Sequence, residues 1–117
     1  MINLAIVGCR SFENYDLAEK EILKIIKENN IPIGRIISGG SKGADKMAEI
    51  FAENFDYQIA IFKPDWNIGR KAGPLRNTKI VEVSDVVIAF WDGLSRGTND
   101  TITKAKLANK KVFIVKI

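Results

Sequence analysis

Residues 85–91 have the sequence DVVIAFW, in which six apolar residues follow a single aspartate. A parallel strand that is covered on both faces consists almost wholly of apolar residues, whereas a strand with one solvated face alternates. We therefore interpret residues 85–91 as a central strand of a parallel sheet. Four other short apolar segments are predicted to be strands of the same sheet: residues 2–7, 35–38, 57–62 and 111–115.

Between these strands, apolar residues recur at helical spacing. The clearest case is residues 43–55, where one helical face carries Ala44, Met47, Ala48, Phe51, Ala52 and Phe55. Further helices are predicted over residues 16–29, 74–83 and 98–109. Strands that alternate with helices of this length indicate an α/β, doubly wound fold: a parallel sheet of about five strands with helices on both faces. We find no linker or repeat, so residues 1–117 are expected to form one domain.

The composition excludes several classes of site. The chain has 117 residues, no histidine and one cysteine, Cys9, so it lacks Ser-His-Asp chemistry, disulfides and histidine or cysteine metal sites. No apolar run is long enough to span a membrane and no signal peptide is evident, so we expect a cytoplasmic protein and no membrane partner. Lys and Arg exceed Asp and Glu by 18 to 14, a net charge of +4 that suits an anionic partner.

The glycine-rich residues 39–45 follow the second predicted strand and open a helix. Glycines let backbone N–H groups approach a phosphate, and a helix N-terminus attracts anions, so Gly39, Gly40, Lys42 and Gly43 are predicted to bind phosphate or carboxylate. If Gly43 has a negative φ, the fold should tolerate a side chain there. The alternative is an ordinary tight turn with Ser41 as the helix N-cap. The spacing matches neither a P-loop nor a dinucleotide-binding fingerprint.

Residues 93–98 repeat this design after the apolar strand. Arg96, Gly97 and Thr98 are predicted to hold a phosphate, with Thr98 as the helix N-cap; an ordinary helix start explains them equally well. Ligands of open parallel sheets bind beyond the carboxyl ends of the strands, so both loops are expected at one site.

Outside these loops, Arg76 is a candidate for the same anion. Trp66 lies in a polar loop and is a better candidate for stacking on a base than Trp91. Cys9 is expected to be packed beside the first turn.

The chain resembles the YspA-like branch of the SLOG superfamily, which includes the Smf DNA-processing proteins and the Lonely Guy phosphoribohydrolases. The resemblance rests on motifs spread in order over nearly the whole chain: Gly8 and Arg10; residues 38–45; Pro64 and Trp66; residues 69–77; and Ala89-Phe90 followed by residues 95–98. It implies a Rossmann-like domain that binds a nucleotide or nucleotide-derived ligand, in some relatives as a sensor or processor in bacterial and phage conflict. It also implies a homodimer.

The comparison with the Lonely Guy enzymes bears on catalysis. Arg76 and Asn77 match the position of their Arg-Lys pair, and Gly97-Thr98 match their Gly-Thr. The position of their catalytic glutamate is occupied by Thr101, whose hydroxyl cannot act as a carboxylate base near pH 7. Asp100 is one residue away, turned by about 100° around the helix.

The leading hypothesis is therefore binding of a nucleotide or phosphorylated small molecule, with no other cofactor required and no metal. The predicted ligand-binding residues are Gly8, Arg10, Ser38, Gly39, Gly40, Lys42, Gly43, Asp45, Trp66, Gly73, Arg76, Asn77, Arg96, Gly97 and Thr98. The first alternative is cleavage of a nucleoside N-glycosidic bond, with Asp45 or Asp100 as the carboxylate and Arg76 stabilising charge. The second is single-stranded nucleic-acid binding, which the net charge permits, although no basic groove rich in aromatic residues is evident.

Overall fold

The computed structural model describes all of residues 1–117 and contains the predicted alternation of strands and helices. The strands are β1 (Ile2–Gly8), β2 (Ile33–Ser38), β3 (Gln58–Ile61), β4 (Val86–Trp91) and β5 (Lys111–Lys116). The helices are α1 (Tyr15–Glu28), α2 (Ala44–Asn54), α3 (Ala72–Val83) and α4 (Arg96–Leu107), with a short 3₁₀ helix over Trp66–Lys71.

All neighbouring strands are parallel, and their order in the sheet is β3-β2-β1-β4-β5. The predicted α/β class and five-stranded parallel sheet are therefore confirmed. β4 is an inner strand, and Val86 to Phe90 are all buried, which accounts for its unbroken apolar sequence.

The two faces of the sheet carry separate parts of the core. On β1, Leu4 and Ile6 pack with α1 and α2, whereas Ala5 and Val7 pack with α3 and α4. This alternation follows from the two-residue period of a strand. Two helices thus cover each face, which makes the domain doubly wound. No helix is both long and apolar enough to cross a membrane.

Two local predictions were wrong, and so was the alternative in which Ser41 is a helix N-cap. α3 begins at Ala72 rather than Pro74, because the 3₁₀ helix continues directly into α3. Pro74 lies in the first turn of α3, where backbone N–H groups have no partner within the helix, so the N–H that proline lacks is not missed. The N-cap of α4 is Ser95 rather than Thr98; its hydroxyl accepts the N–H of Thr98. Ser41 does not cap α2, whose N-cap is Gly43, without a side-chain hydrogen bond.

Candidate functional site

A cavity of about 370 Å³ lies beyond the carboxyl ends of β1 and β4. The chain winds from β1 outward to β3, then crosses back to β4 and on to β5, so the winding direction reverses between β1 and β4. Open parallel sheets bind ligands at such a switch point, where the two loops leave the sheet in opposite directions. The volume is within the range of small-molecule sites.

Ten of the fifteen residues that line the cavity are polar or charged, and the wall is built from four segments. The first follows β1, the second opens α2, the third is one face of α3, and the fourth joins β4 to α4. The lining residues are Val7, Gly8, Cys9, Arg10, Ser11, Ser41, Asp45, Arg76, Asn77, Ile80, Asp92, Ser95, Gly97, Thr98 and Thr101.

The structure brings together part of the predicted site. The predicted residues that line the cavity are Gly8, Arg10, Asp45, Arg76, Asn77, Gly97 and Thr98. The predicted residues that are not part of its wall are Ser38, Gly39, Gly40, Lys42, Gly43, Trp66, Gly73 and Arg96.

Several residues of the glycine-rich loop do not line the cavity but hold its lining residues in place. The buried hydroxyl of Ser38 donates to the carbonyl oxygen of Asp45 at 3.0 Å and accepts the N–H of Gly40 at 3.2 Å. Gly43 has a φ of +74°, and a Cβ there would collide with the carbonyl oxygen of Cys9. The expectation that Gly43 tolerates a side chain, which required a negative φ, is therefore wrong; this glycine is needed for the fold itself.

Arg76 lines the cavity and extends from α3 to the β2–α2 loop. Its Nη1 donates to the carbonyl oxygen of Gly39, and its Nε donates to Oδ1 of Asn77 at 3.0 Å. A guanidinium has five N–H donors, so three remain for the cavity. Burial lowers the pKa of Arg76; the nearby Asp45 raises it and the nearby Arg10 lowers it. Two guanidinium groups therefore act on each other at this end of the cavity.

Asp45, in the first turn of α2, is the most buried carboxylate on the cavity wall, with 6% of its surface exposed. Its Oδ2 accepts the N–H of Ser41 at 3.1 Å. Burial raises its pKa, against the lowering effect of the Ser41 hydrogen bonds and of Arg76. The carboxylate and the Arg76 guanidinium lie on either side of Gly39, each with an atom 2.7 Å from where a Cβ on that residue would be, but they form no salt bridge.

Asn77 is buried and joins α3 to the start of α4. Its Oδ1 accepts from Arg76, and its Nδ2 donates to the carbonyl oxygen of Gly97 at 3.2 Å and to Oδ2 of Asp100 at 3.1 Å. Asp100 also accepts from Nζ of Lys104 at 2.9 Å. Asp100 thus points towards α3 and Lys104 and is not part of the cavity wall, whereas Thr101 is.

The start of α4 contributes hydroxyls and backbone N–H groups. Oγ of Ser95 and Oγ1 of Thr98 are 3.0 Å apart, and Thr101 Oγ1 donates to the Gly97 carbonyl oxygen. Gly97, at the second position of α4, lines the cavity and has nothing within 4 Å of where its Cβ would be. A helix N-terminus with accessible N–H groups favours an anion.

Sequence reasoning missed the lining role of Cys9, Ser11, Ser41, Asp92 and Ser95. Asp92 accepts the N–H groups of Leu94 and Ser95 on its Oδ1, which lowers its pKa and shapes the turn before α4. Burial raises the pKa of Cys9, whose Sγ accepts the N–H of Asp92 at 3.4 Å. Their positions in the sequence could have indicated this role, because each of these residues closely follows the carboxyl end of β1, β2 or β4.

Comparisons with known proteins identify both the family and the fold. Residues 2–69 match the model of the YAcAr family, described as the YspA, cpYpsA-related SLOG family. The fold is similar to that of DNA processing protein A (DprA) from Streptococcus pneumoniae, with a TM-score of 0.75 and 20% sequence identity over 97% of this chain. The chain spans about half the length of that protein, since the match covers 50% of it. No curated protein matches the chain.

Proposed function

The chain belongs to the YspA, cpYpsA-related SLOG family, and from this membership and the geometry of the cavity we propose that it binds a nucleotide or a nucleotide-derived ligand. The ligand's phosphate lies between Arg10, Arg76 and the start of α4, and the remainder fills the cavity at the β1–β4 switch point.

The pairing of Arg10 with Arg76 is the observation that carries this proposal. Arg76 is half-buried, its pKa is lowered by burial and by Arg10, and neither arginine forms a salt bridge. Keeping the half-buried Arg76 charged beside a second cation, the exposed Arg10, without a bonded carboxylate costs free energy. A bound anion removes that cost, and a guanidinium binds phosphate oxygens through two parallel N–H bonds.

The opposite wall supports a phosphate rather than an apolar ligand. Ser95, Thr98 and the backbone of Gly97 belong to the first turn of α4 or its cap, where unpaired N–H groups and hydroxyls gather. A phosphate needs several donors at once, and this wall supplies them without any lysine. Of the predicted basic residues, Lys42 and Arg96 are exposed and lie outside the wall, so the proposal does not depend on them.

An enzymatic alternative, N-glycosidic hydrolysis, rests on Asp45. This carboxylate lines the cavity, and burial raises its pKa, as is common for groups that transfer protons. Asp100, the other candidate, is held by Asn77 and Lys104 outside the wall. Thr101 lies on the wall at the position where the resemblance places a catalytic glutamate, so we favour binding without turnover.

Incubation with adenosine and guanosine 5′-monophosphates, followed by chromatography for free base, separates the two readings. We expect no free base. Turnover on the order of one per second that disappears in Asp45→Asn would establish the hydrolase instead. If Thr101→Glu alone creates activity, the missing carboxylate explains why the natural chain has none.

The proposal itself is tested by mass spectrometry of small molecules that co-purify with the protein, together with thermal unfolding in the presence of a nucleotide panel. A ligand that binds only the folded state raises its stability, by about 2.7 kcal/mol at a concentration 100 times its Kd. We expect one nucleotide class to raise the Tm. A protein that responds to none, but binds oligonucleotides with a steep salt dependence, would be a single-strand binder.

The homodimer and the cytoplasmic location stay predictions. Light scattering on the purified protein measures the first, and fractionation of cells measures the second.

A further inference from the structure

The carboxylate of Asp45 has one oxygen that no protein group uses. Oδ2 accepts the Ser41 N–H, whereas Oδ1 accepts no hydrogen bond from the protein. No fully buried side-chain oxygen or nitrogen in the structure lacks a partner, so Oδ1 retains access to solvent, and Asp45 is part of the cavity wall. An almost buried carboxylate on the cavity wall therefore keeps one free acceptor, Oδ1, while its other oxygen lies near Arg76 beside Gly39.

A carboxylate in this position is unfavourable for a site that binds phosphate alone. It repels the anion that Arg10 and Arg76 attract, and its own desolvation is only partly offset by Ser41 and Arg76. An ionised carboxylate only accepts hydrogen bonds, so the group that occupies the adjoining space must be a donor. The wall of one cavity thus holds two arginines that suit an anion and a carboxylate oxygen that suits a donor.

We propose that Asp45 selects ligands whose phosphate is attached to a sugar with free hydroxyls, and that it binds a ribose hydroxyl through Oδ1. This inference rests on the proposed function, since it deepens the same site. In a nucleoside 5′-phosphate the sugar hydroxyls are the hydrogen-bond donors nearest the phosphate, and the amino group of the base is farther away. The Asp45 carboxylate and the Arg76 guanidinium each have an atom 2.7 Å from the same point beside Gly39, so the two groups are neighbours, and a donor close to the phosphate is favoured over the more distant amino group of the base.

The test compares ligands that differ only in the sugar. Calorimetric titrations use adenosine 5′-monophosphate, its 2′,3′-dideoxy form and ribose 5-phosphate, with the wild-type chain, Asp45→Ala and Asp45→Asn. We expect the wild type to prefer the ribonucleotide over the dideoxy form by about tenfold or more, the effect of one hydrogen bond to a charged group. Asp45→Ala should reduce this ratio to within about twofold, and Asp45→Asn should give an intermediate ratio.

The matched control is Glu53→Gln, which removes an exposed carboxylate near the end of α2 and outside the cavity wall. It should leave the ratio unchanged. Binding of ribose 5-phosphate with an affinity similar to that of the nucleotide would assign the site to sugar phosphates, and weaker binding would assign it to nucleotides; both outcomes retain the role of Asp45.

Two results would overturn the inference, and they are distinguishable. The first is equal affinity of the wild type for the ribo and dideoxy forms, or a ribo-to-dideoxy affinity ratio that persists in folded Asp45→Ala. Either outcome would show that Asp45 does not recognise the sugar hydroxyls, and nucleotide binding would still hold. No binding of any of the three probes would overturn the proposed function and this inference with it. Circular dichroism of each variant establishes that it is folded, and Asp45→Asn, which keeps the side-chain volume, decides the outcome if Asp45→Ala does not fold.

Discussion

The side chains of Arg76 and Asn77, consecutive residues of α3, are hydrogen-bonded to each other, with Nε of Arg76 donating to Oδ1 of Asn77 at 3.0 Å. Successive helical residues point about 100° apart, so such a contact requires the arginine to bend back along the helix surface. Asn77 also holds the Gly97 carbonyl oxygen at the start of α4. The Arg76 guanidinium and the start of α4 are therefore connected through one buried amide.

We expect Asn77→Ala to lower both stability and ligand affinity. It leaves Arg76 Nε without its partner and leaves the Gly97 carbonyl oxygen with Thr101 alone, a loss of about 1–3 kcal/mol in the free energy of unfolding. Urea denaturation measures the stability, and titration with a nucleoside 5′-phosphate measures the affinity. Lys79→Ala, on the exposed face of the same helix, is the control. A destabilised variant with wild-type affinity would show that Asn77 only joins the helices and does not position Arg76.

Substitutions at two glycines, Gly43 and Gly97, should affect different properties of the protein: its stability and its ligand affinity. Gly43→Ala should destabilise the protein by more than about 2 kcal/mol, because its φ is positive and its Cβ would meet the backbone of Cys9 and Arg10. Gly97→Ala should leave stability unchanged or raise it by up to about 1 kcal/mol, because the position is helical and open.

The same Gly97→Ala variant should bind phosphate-bearing ligands more weakly, since its methyl group occupies the space over the N-terminus of α4. Thermal unfolding and ligand titration on one preparation give both quantities. Unchanged affinity in the folded variant would mean that the phosphate does not contact this turn.

Trp66 is 58% exposed and lies outside the cavity wall, and its ring lies beside Gly73, which is about one helical turn before Arg76. If it stacks on the base of a bound nucleotide, Trp66→Ala should cost about 1–3 kcal/mol of nucleotide binding. Affinity for ribose 5-phosphate, which has no base, should not change. Equal nucleotide affinity in the variant and the wild type would remove Trp66 from the binding site.

The buried carboxylate of Asp45 makes stability depend on pH. Its ordinary pKa is 3.8 and burial raises the folded-state pKa above that, so between the two values the folded state binds more protons than the unfolded state. The free energy of unfolding therefore falls as the pH rises through this window, and the cost persists at higher pH. Relative to Asp45→Asn, the wild type should lose stability between pH 3.5 and pH 7 in urea denaturation. If the free energy of unfolding of the wild type instead rose relative to that of Asp45→Asn over this pH interval, the effect of burial on Asp45 would be contradicted.

Much of the fold could be predicted because its signals are local. The apolar run of residues 85–91 is a strand buried on both faces, and the periodicity of residues 43–55 reflects the single buried face of α2. Helix starts were less predictable. Thr98 was the expected cap, but the turn made by Gly93 at positive φ and by Asp92, which binds two backbone N–H groups, places Ser95 there instead.

The sequence predicted where the candidate site lies in the fold, but not the contacts among its residues. Arg10, Asp45, Arg76 and Gly97 all follow strand ends or open helices, and the switch point brings them together. The role of Asn77 was not predictable, because its partners Gly97 and Asp100 are at least 20 residues away along the chain. Nor did the sequence indicate that Gly43 is required by the backbone, since this depends on the loop after β1 lying against it.

The central claim is that Arg10 and Arg76 bind a phosphate group, and one calorimetric comparison tests it most directly. Adenosine and guanosine 5′-monophosphates are titrated against the matching nucleosides, with the wild type, Arg10→Gln and the control Arg35→Gln, which changes an arginine of β2 outside the cavity wall. We predict that a nucleotide binds at least about tenfold more tightly than its nucleoside, and that Arg10→Gln but not Arg35→Gln removes most of that difference. A nucleoside that binds as tightly as its nucleotide, or an unchanged difference in Arg10→Gln, would contradict the claim.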